Sequence, residues 1–335
     1  MVSCHWQRAW RVGWGLALVA FLFAGCVRTA PETPVPMPST TREAVEQPTP
    51  SPLPMATLGV LPTPGPSPAG QAGGLPVPLP ERVPTRRGRK VQLTVVYDNN
   101  PYDPRLRPAW GFSCLVQVGG RAILFDTGGD GALLLSNLDA LNLDPRKIGM
   151  VVLSHIHGDH AGGLPALLAL GLRPTVYLPR SFPQSFKAEV GARTQVWEVA
   201  GPAEVLPGVY TTGELGDGLQ EQALAVDTPS GLVVITGCAH PGVVRLVRAA
   251  VEFTGQPPYL VMGGFHLGGA SRRTVEGIIA EFQRMGVRKV APCHCTGEQA
   301  TRTFAEAFGE GFIACGVGLR LTLGEAGVEP AEENP

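Results

Sequence analysis

Apolar positions organise the chain from Val91 onward and hardly at all before it. Short β-branched and apolar runs bounded by turn residues read as strands. On that rule Val91–Tyr97, Phe112–Val118 and Ala122–Phe125 are strands, the last two joined through Gly119 and Gly120 as a hairpin. Leu133–Leu141 reads as a helix and Ile148–Leu153 as a buried strand, with a further helix expected from about Ala161 to Leu170, beyond Gly158. Strand-like pieces recur at Thr175–Leu178, Thr194–Val199, Val209–Thr212, Ala223–Val226 and Leu232–Thr236. The last third alternates helix and strand: Val243–Phe253, Tyr259–Met262, Thr274–Met285, Lys289–Ala291 and Glu298–Phe308, then Phe312–Ala314 and Leu319–Leu323. Strand-rich halves with helices between them predict an α/β fold of two sheets sandwiched between helical layers, an α/β/β/α arrangement.

Composition explains why periodicity fails upstream. Of the 33 prolines, 16 fall between Pro31 and Pro84, so residues 27–90 read as a disordered Pro-rich linker, partly polyproline II. Residues 1–26 have the layout of an export signal: Arg8 and Arg11, an apolar run from Trp14 to Ala24, then small residues before Cys26. That run is shorter than the roughly 20 apolar residues of a membrane-spanning helix. Phe23-Ala24-Gly25-Cys26 resembles a bacterial lipobox, with Phe23 in place of the usual Leu. The resemblance implies a lipoprotein exported and tethered to the outer face of the cell membrane through Cys26, with an N-terminal helix anchor as the alternative. The folded domain is then 91–324, with 325–335 as a C-terminal tail.

Charge divides at the same boundary, +5 over residues 1–90 and −6 over 91–335. An acidic domain without a basic stripe argues against nucleic acid as a partner and for a small-molecule substrate. Without Cys4 and Cys26 five cysteines remain, an odd number that cannot complete a disulfide framework.

Histidine is the sharper signal. There are seven, and six of them lie between 155 and 294. After the apolar run Met150–Leu153 the chain reads His155-Ile156-His157-Gly158-Asp159-His160, four potential metal ligands in six residues. Imidazoles with one carboxylate suit a catalytic rather than a structural metal. His155 and His157 can point the same way from an extended segment, while Asp159 and His160 lie past Gly158 and can serve a second position. Such a cluster fits two metals about 3.5–4 Å apart.

This His-x-His-x-Asp-His pattern resembles the signature of the metallo-β-lactamase superfamily, and Phe125-Asp126-Thr127-Gly128 resembles its first motif. Further pieces resemble the dihydropterin-ribofuranosylaminobenzene-phosphate synthase-like branch: Tyr97–Asn100, Trp110–Cys114, Thr236–Gly242, Gly263–Leu267 and Cys293–Gly297. The resemblance implies a metallo-β-lactamase-like sandwich binding one or two divalent ions, zinc first, with iron or manganese as alternatives. It implies His155 and His157 as ligands of one metal, Asp159 and His160 of the other, and His294 as the last ligand. The sequence departs from the common Thr-Gly-Asp motif, because Cys238 stands where the bridging aspartate is expected. His240 is the natural substitute ligand; no histidine precedes the strand, and Glu221 is the nearest ionisable candidate.

The remaining candidates stand beside the ligands. Asp126 is expected to orient a ligand by hydrogen bonding. Asn99 ends the first strand and is read as a substrate contact, and Cys238 as a neighbour of the metals or of substrate. His266 is read as a proton donor to the leaving group, a ligand or a structural histidine. Cys293 and Cys295 flank His294 in an extended segment, so both are expected to point away from the metals.

The expected chemistry is hydrolysis of an ester, lactone or phosphoester by a metal-activated water that Asp159 positions. A transferase condensing a dihydropterin diphosphate with a ribofuranosylaminobenzene phosphate is the alternative that the branch implies. A non-enzymatic metal-binding surface lipoprotein is the third reading. Residues 180–220, rich in Pro and Gly, carry no motif and are expected to set specificity.

Overall fold

The computed structural model describes residues 90–324 and 327–330; the expected signal segment, lipobox cysteine and Pro-rich linker lie outside them. The first half of the domain runs β1 (Val91–Tyr97), β2 (Ser113–Val118), β3 (Arg121–Phe125), α1 (Gly131–Ala140), β4 (Ile148–Val152), α2 (Gly158–Ala161), α3 (Leu164–Ala169), β5 (Thr175–Pro179), α4 (Gln184–Gly191) and β6 (Val196–Val199). The second runs β7 (Ala203–Leu206), β8 (Val209–Thr211), β9 (Leu224–Thr228), β10 (Gly231–Thr236), α5 (Val243–Thr254), β11 (Pro258–Gly264), α6 (Arg272–Met285), β12 (Lys289–Cys293), α7 (Glu298–Phe308), β13 (Arg320–Gly324) and β14 (Gly327–Pro330).

These strands make two sheets, one of order β14-β13-β1-β2-β3-β4-β5-β6 and one of order β12-β11-β10-β9-β8-β7. Successive side chains of a strand face opposite ways, and here both faces are buried. Val91, Leu93 and Val95 of β1, Ile123 and Phe125 of β3, Val233 and Ile235 of β10 and Met262 of β11 meet between the sheets. Ala122, Leu124 and Val151 face outward onto Leu134 and Leu138 of α1 and Leu164 and Leu167 of α3. Leu232, Val234 and Val261 face the other way, onto α5, α6 and α7 through Leu246, Phe282 and Phe304. The α/β/β/α arrangement expected from the sequence is the one observed.

Four local readings need correction. The helix expected from about Ala161 to Leu170 is two helices, and the first opens at Gly158, which lifts Asp159 and His160 onto a helical turn. Residues 180–220 hold two elements that the pattern does not predict, α4 and β7, besides the expected strands at β6 and β8. Phe312–Ala314 is no strand; Phe312 makes a single bridge to Val290. Within the expected tail 325–335, Gly327–Pro330 extends the first sheet antiparallel to β13. Pairing partners decided the strand cases, and a short segment does not reveal its partner. Among the described residues, no helix is long and apolar enough to cross a membrane.

The parallel pairs β3–β4, β10–β11 and β11–β12 all end at one edge of the sandwich. The segments leaving those ends carry Asp126, His155, Cys238, His266 and His294.

Candidate metal centre

Every histidine that the sequence singles out reaches one edge cluster. The ligand atoms of Asp159, His160, Cys238 and His294 lie within 4.8 Å of one another, and so do those of His155, His157 and His240. The His-x-His-x-Asp-His segment thus places His155 and His157 in one set, Asp159 and His160 in the other. His240 joins the first set and His294 the second. Ring nitrogens face each other within each set at 3.2 Å, His155 Nε2 to His157 Nδ1 and His160 Nε2 to His294 Nε2.

The outer ring nitrogens are tied back, which sets the tautomers. Glu221 accepts from His240 Nδ1 at 2.8 Å and Asp126 accepts from His160 Nδ1 at 2.7 Å. Asn99 grips His294 twice: its Oδ1 accepts from Nδ1 at 2.9 Å, while its Nδ2 donates to the backbone carbonyl at 3.2 Å. The Ser154 hydroxyl donates to Asp126 Oδ2 at 2.7 Å, leaving its oxygen to accept from His155 Nδ1 at 2.8 Å. Each anchored imidazole thus turns an unprotonated nitrogen inward, the arrangement that metal-binding histidines use. The donor set fits one or two divalent ions: three imidazoles in the first set, two imidazoles with a carboxylate and a thiol in the second.

Two residues gain contacts that their sequence reading lacks. Asn99 holds His294 and also lines the cavity beside it. Cys238 belongs among the candidate ligands, with Sγ 3.2 Å from His160 Nε2. A third departure concerns Cys295, expected to point away. His294–Thr296 forms a 3-10 turn, so the strict alternation of β12 stops at Cys293 and Cys295 swings back to the cluster. Cys293 does point away, into the core between the sheets.

Glu221 is the functional residue that sequence reasoning named without assigning. It is fully buried and accepts from the backbone N–H groups of Cys238, Ala239 and His240 at 2.9, 2.7 and 2.8 Å, besides the His240 ring. That single carboxylate shapes the loop after β10. In sequence it stands between Gln220 and Gln222 in a polar stretch before β9, with Glu214 and Asp217 close by, so nothing local marked its role.

Backbone conformation concentrates strain here as well. Of the five described non-glycine residues with positive φ, Asp126, Ala239, His266 and His294 are in or beside the cluster. Such residues persist where surrounding structure over-determines them.

Burial and neighbours set the ionisation of these groups. Burial, then the adjacent rings of His160 and His294 respectively, pushes His155 and His160 down to about 3. Burial raises Asp126 to about 7 against the pull of His155 and Ser154. Burial likewise raises Asp98 to about 6. Glu221 is buried too, yet its bonds from His240 and the loop amides hold it at about 2. Asp159, drawn by His294 and His160 despite burial, stays below the usual carboxylate range. His294 moves up, because Asp159, Cys295 and Asp98 together outweigh burial. Donation from the Cys238 thiol lowers Cys295 to about 6 and raises Cys238 itself.

Signs follow by linkage. His155, His160 and Glu221 have folded pKa values below their unfolded ones, so unfolding takes up protons and stability falls with pH. Asp98 and Asp126 are raised and act oppositely, which offsets the two imidazoles between about pH 6 and 4.5. Below 4.5 the unfolded carboxyls protonate as well and the offset ends. Urea denaturation of the metal-free protein is therefore expected to give a shallow dependence from pH 6 to 4.5 and a steep loss from 4.5 to 3.

Removing the Asn99 anchor tests the geometry directly. Asn99→Ala is expected to weaken the second set by about 10–100-fold in metal affinity, read by competition with a chromophoric chelator. Unchanged affinity would mean that His294 needs no orientation.

Beside His294 a cavity of about 420 Å³ opens, lined by Asn99, Trp110, Cys295, Thr301 and Arg302 among others. Trp110 is 60% exposed and its ring lies 4.8 Å from that of His294, centroid to centroid.

Fold and cluster together define a mixed α/β protein with a histidine-rich metal centre at the strand ends. Residues 111–248 match the family described as the metallo-beta-lactamase superfamily. A curated relative, the 7,8-dihydropterin-6-methyl-4-(beta-D-ribofuranosyl)-aminobenzene-5'-phosphate synthase of Methanocaldococcus jannaschii, is 30% identical over 258 residues, 61% of this chain and 88% of that protein. The chain belongs to the metallo-β-lactamase superfamily and is similar to that synthase. A solved structure of Tm1679, described as a metal-dependent hydrolase of the beta-lactamase superfamily, matches with a TM-score of 0.58 at 29% identity, over 69% of this chain and 98% of that one. The metallo-beta-lactamase fold protein YhfI from Bacillus subtilis matches at TM-score 0.53 and 16% identity, over 70% of this chain and 99% of that one, a likeness of fold. The superfamily binds divalent metals, usually zinc, and its members are enzymes, hydrolases and a synthase among them.

Proposed function

We propose that this chain is a metal-dependent hydrolase acting on an ester, lactone or phosphoester. The observation that carries the reading is the pair of facing ligand sets, His155/His157/His240 and Asp159/His160/Cys238/His294, with outer nitrogens anchored by Glu221, Asp126 and Asn99. A divalent metal held there supplies Lewis acidity toward water and toward a carbonyl or phosphoryl oxygen.

The chain's own groups do the rest. Asp159, ionised at neutral pH and 3.4 Å from His294 Nε2, aligns the attacking water as a proton acceptor. His266, exposed at the mouth beside His240, donates to the leaving group. The cavity beside His294 receives the remainder of the substrate, with Trp110 at its rim.

Testing uses a panel of lactone, phosphodiester and thioester substrates with metal-loaded protein. Asp159→Asn is expected to lower kcat by about 100-fold or more while the fold, read by circular dichroism, is retained. Equal turnover by wild type and variant would remove Asp159 from the mechanism. Similarity to the Methanocaldococcus jannaschii synthase supports a second reading, condensation of a dihydropterin diphosphate with a ribofuranosylaminobenzene phosphate, with diphosphate leaving. Pterin-transfer activity dependent on His155 and His294, with no hydrolysis of the panel, would favour it.

A further inference from the structure

Cys238 belongs to two ligand sets at once. Besides Asp159, His160 and His294, its Sγ lies with Cys295 Sγ and a ring nitrogen of His266, these three atoms again within 4.8 Å of one another. We propose that Cys238, His266 and Cys295 form a third metal position, selective for thiophilic divalent ions such as zinc and cadmium and sharing the Cys238 thiolate with the second.

Two thiolates and an imidazole make a ligand set of the zinc type, with a fourth place open to solvent. The backbone is built to present it. The 3-10 turn at His294–Thr296 is what aims Cys295 inward, and a Cβ on Gly264 would stand 2.8 Å from the Cys295 sulfur. Gly268 N–H donates to the Cys295 carbonyl at 3.3 Å, tying the loop after β11 to that turn. His266, although exposed, is held at a φ of 52° with its ring 4.4 Å from that of His240, centroid to centroid. An exposed residue has no core-packing reason for left-handed backbone. The hydrolase reading uses Cys238 in the second set and gives Cys295 no role.

Filling this position takes His266 out of proton donation. Excess zinc is then inhibitory, a consequence that rests on the hydrolase reading, whereas the binding claim does not.

Cadmium titration of the full chain in a phosphine reductant tests the binding, with bound metal counted by elemental analysis and thiolate ligation followed by ultraviolet charge-transfer absorbance. Wild type is expected to bind one equivalent more than Cys295→Ser and one more than His266→Asn. Thiolate charge-transfer absorbance should fall in Cys295→Ser to what Cys238 alone gives with the metal of the second set. Asparagine tolerates positive φ at an exposed position, so the His266 variant keeps the comparison alive if the Cys295 variant fails to fold. Equal stoichiometry and equal absorbance across wild type and both variants would overturn the third position. His155→Ala strikes the first set alone: if it loses no equivalent, the hydrolase reading fails independently of this one.

Discussion

Replacing Glu221 with alanine is expected to cost about 3–5 kcal/mol of stability, the range for breaking a buried charged network by removing one partner. Three backbone N–H groups and the His240 ring lose their acceptor together, in a place water does not reach. Unsatisfied buried donors carry their full desolvation cost. With a total folding stability of about 5–15 kcal/mol typical of a domain, the variant should denature at markedly lower urea. Glu221→Gln separates stability from positioning. Its amide keeps one oxygen acceptor but turns N–H groups toward donors, so partial stability should return while His240 stays misoriented. Metal analysis of this variant should show the first set weakened by about 10–100-fold. Full metal affinity in a folded Glu221→Gln protein would show that His240 does not need its anchor.

Gly237→Ala is expected to be nearly as damaging, through a single methyl group. A Cβ there would stand 2.1 Å from Ser154 Oγ and 2.9 Å from Asp126 Oδ2. Ser154 and Asp126 are fully buried, and their mutual bonds also hold His155 and His160. Something in that network must move. Overpacking of this kind costs about 1–3 kcal/mol, and the displaced carboxylate should lower metal affinity by about 10–100-fold. Thermal denaturation and chelator competition would measure the two effects separately. A variant that binds metal as tightly as wild type would mean that the network rearranges without touching its histidines.

Much of this site was legible in advance because its information is local. The His155–His160 segment carries four ligands within one loop, and no distant contact is needed to recognise it. Asp126 and His294 follow strand ends whose apolar runs are equally visible. Cys295 was misjudged for a definable reason: alternation holds only while the backbone stays extended, and a 3-10 turn begins at His294. Asn99 and Glu221 were legible as residue types but not as roles. Asn99 meets His294 across 195 positions of sequence, and Glu221 meets Cys238 across 17. A hydrogen bond between distant segments leaves no periodicity in either of them.

The sequence by itself determined the layered α/β class and the ligand-rich segment His155–His160 with its partner histidines His240 and His294. Alternating apolar positions demand two buried sheet faces, and ligand-rich segments declare themselves by density. Only the tertiary structure decided which ligands share a set, that Cys238 joins them and that Cys295 and His266 form a further set at the mouth. Such assignments depend on where separate strand ends meet in space and which way each ring is tied back. Those distances come from sheet packing and buried hydrogen bonds between segments far apart in the chain.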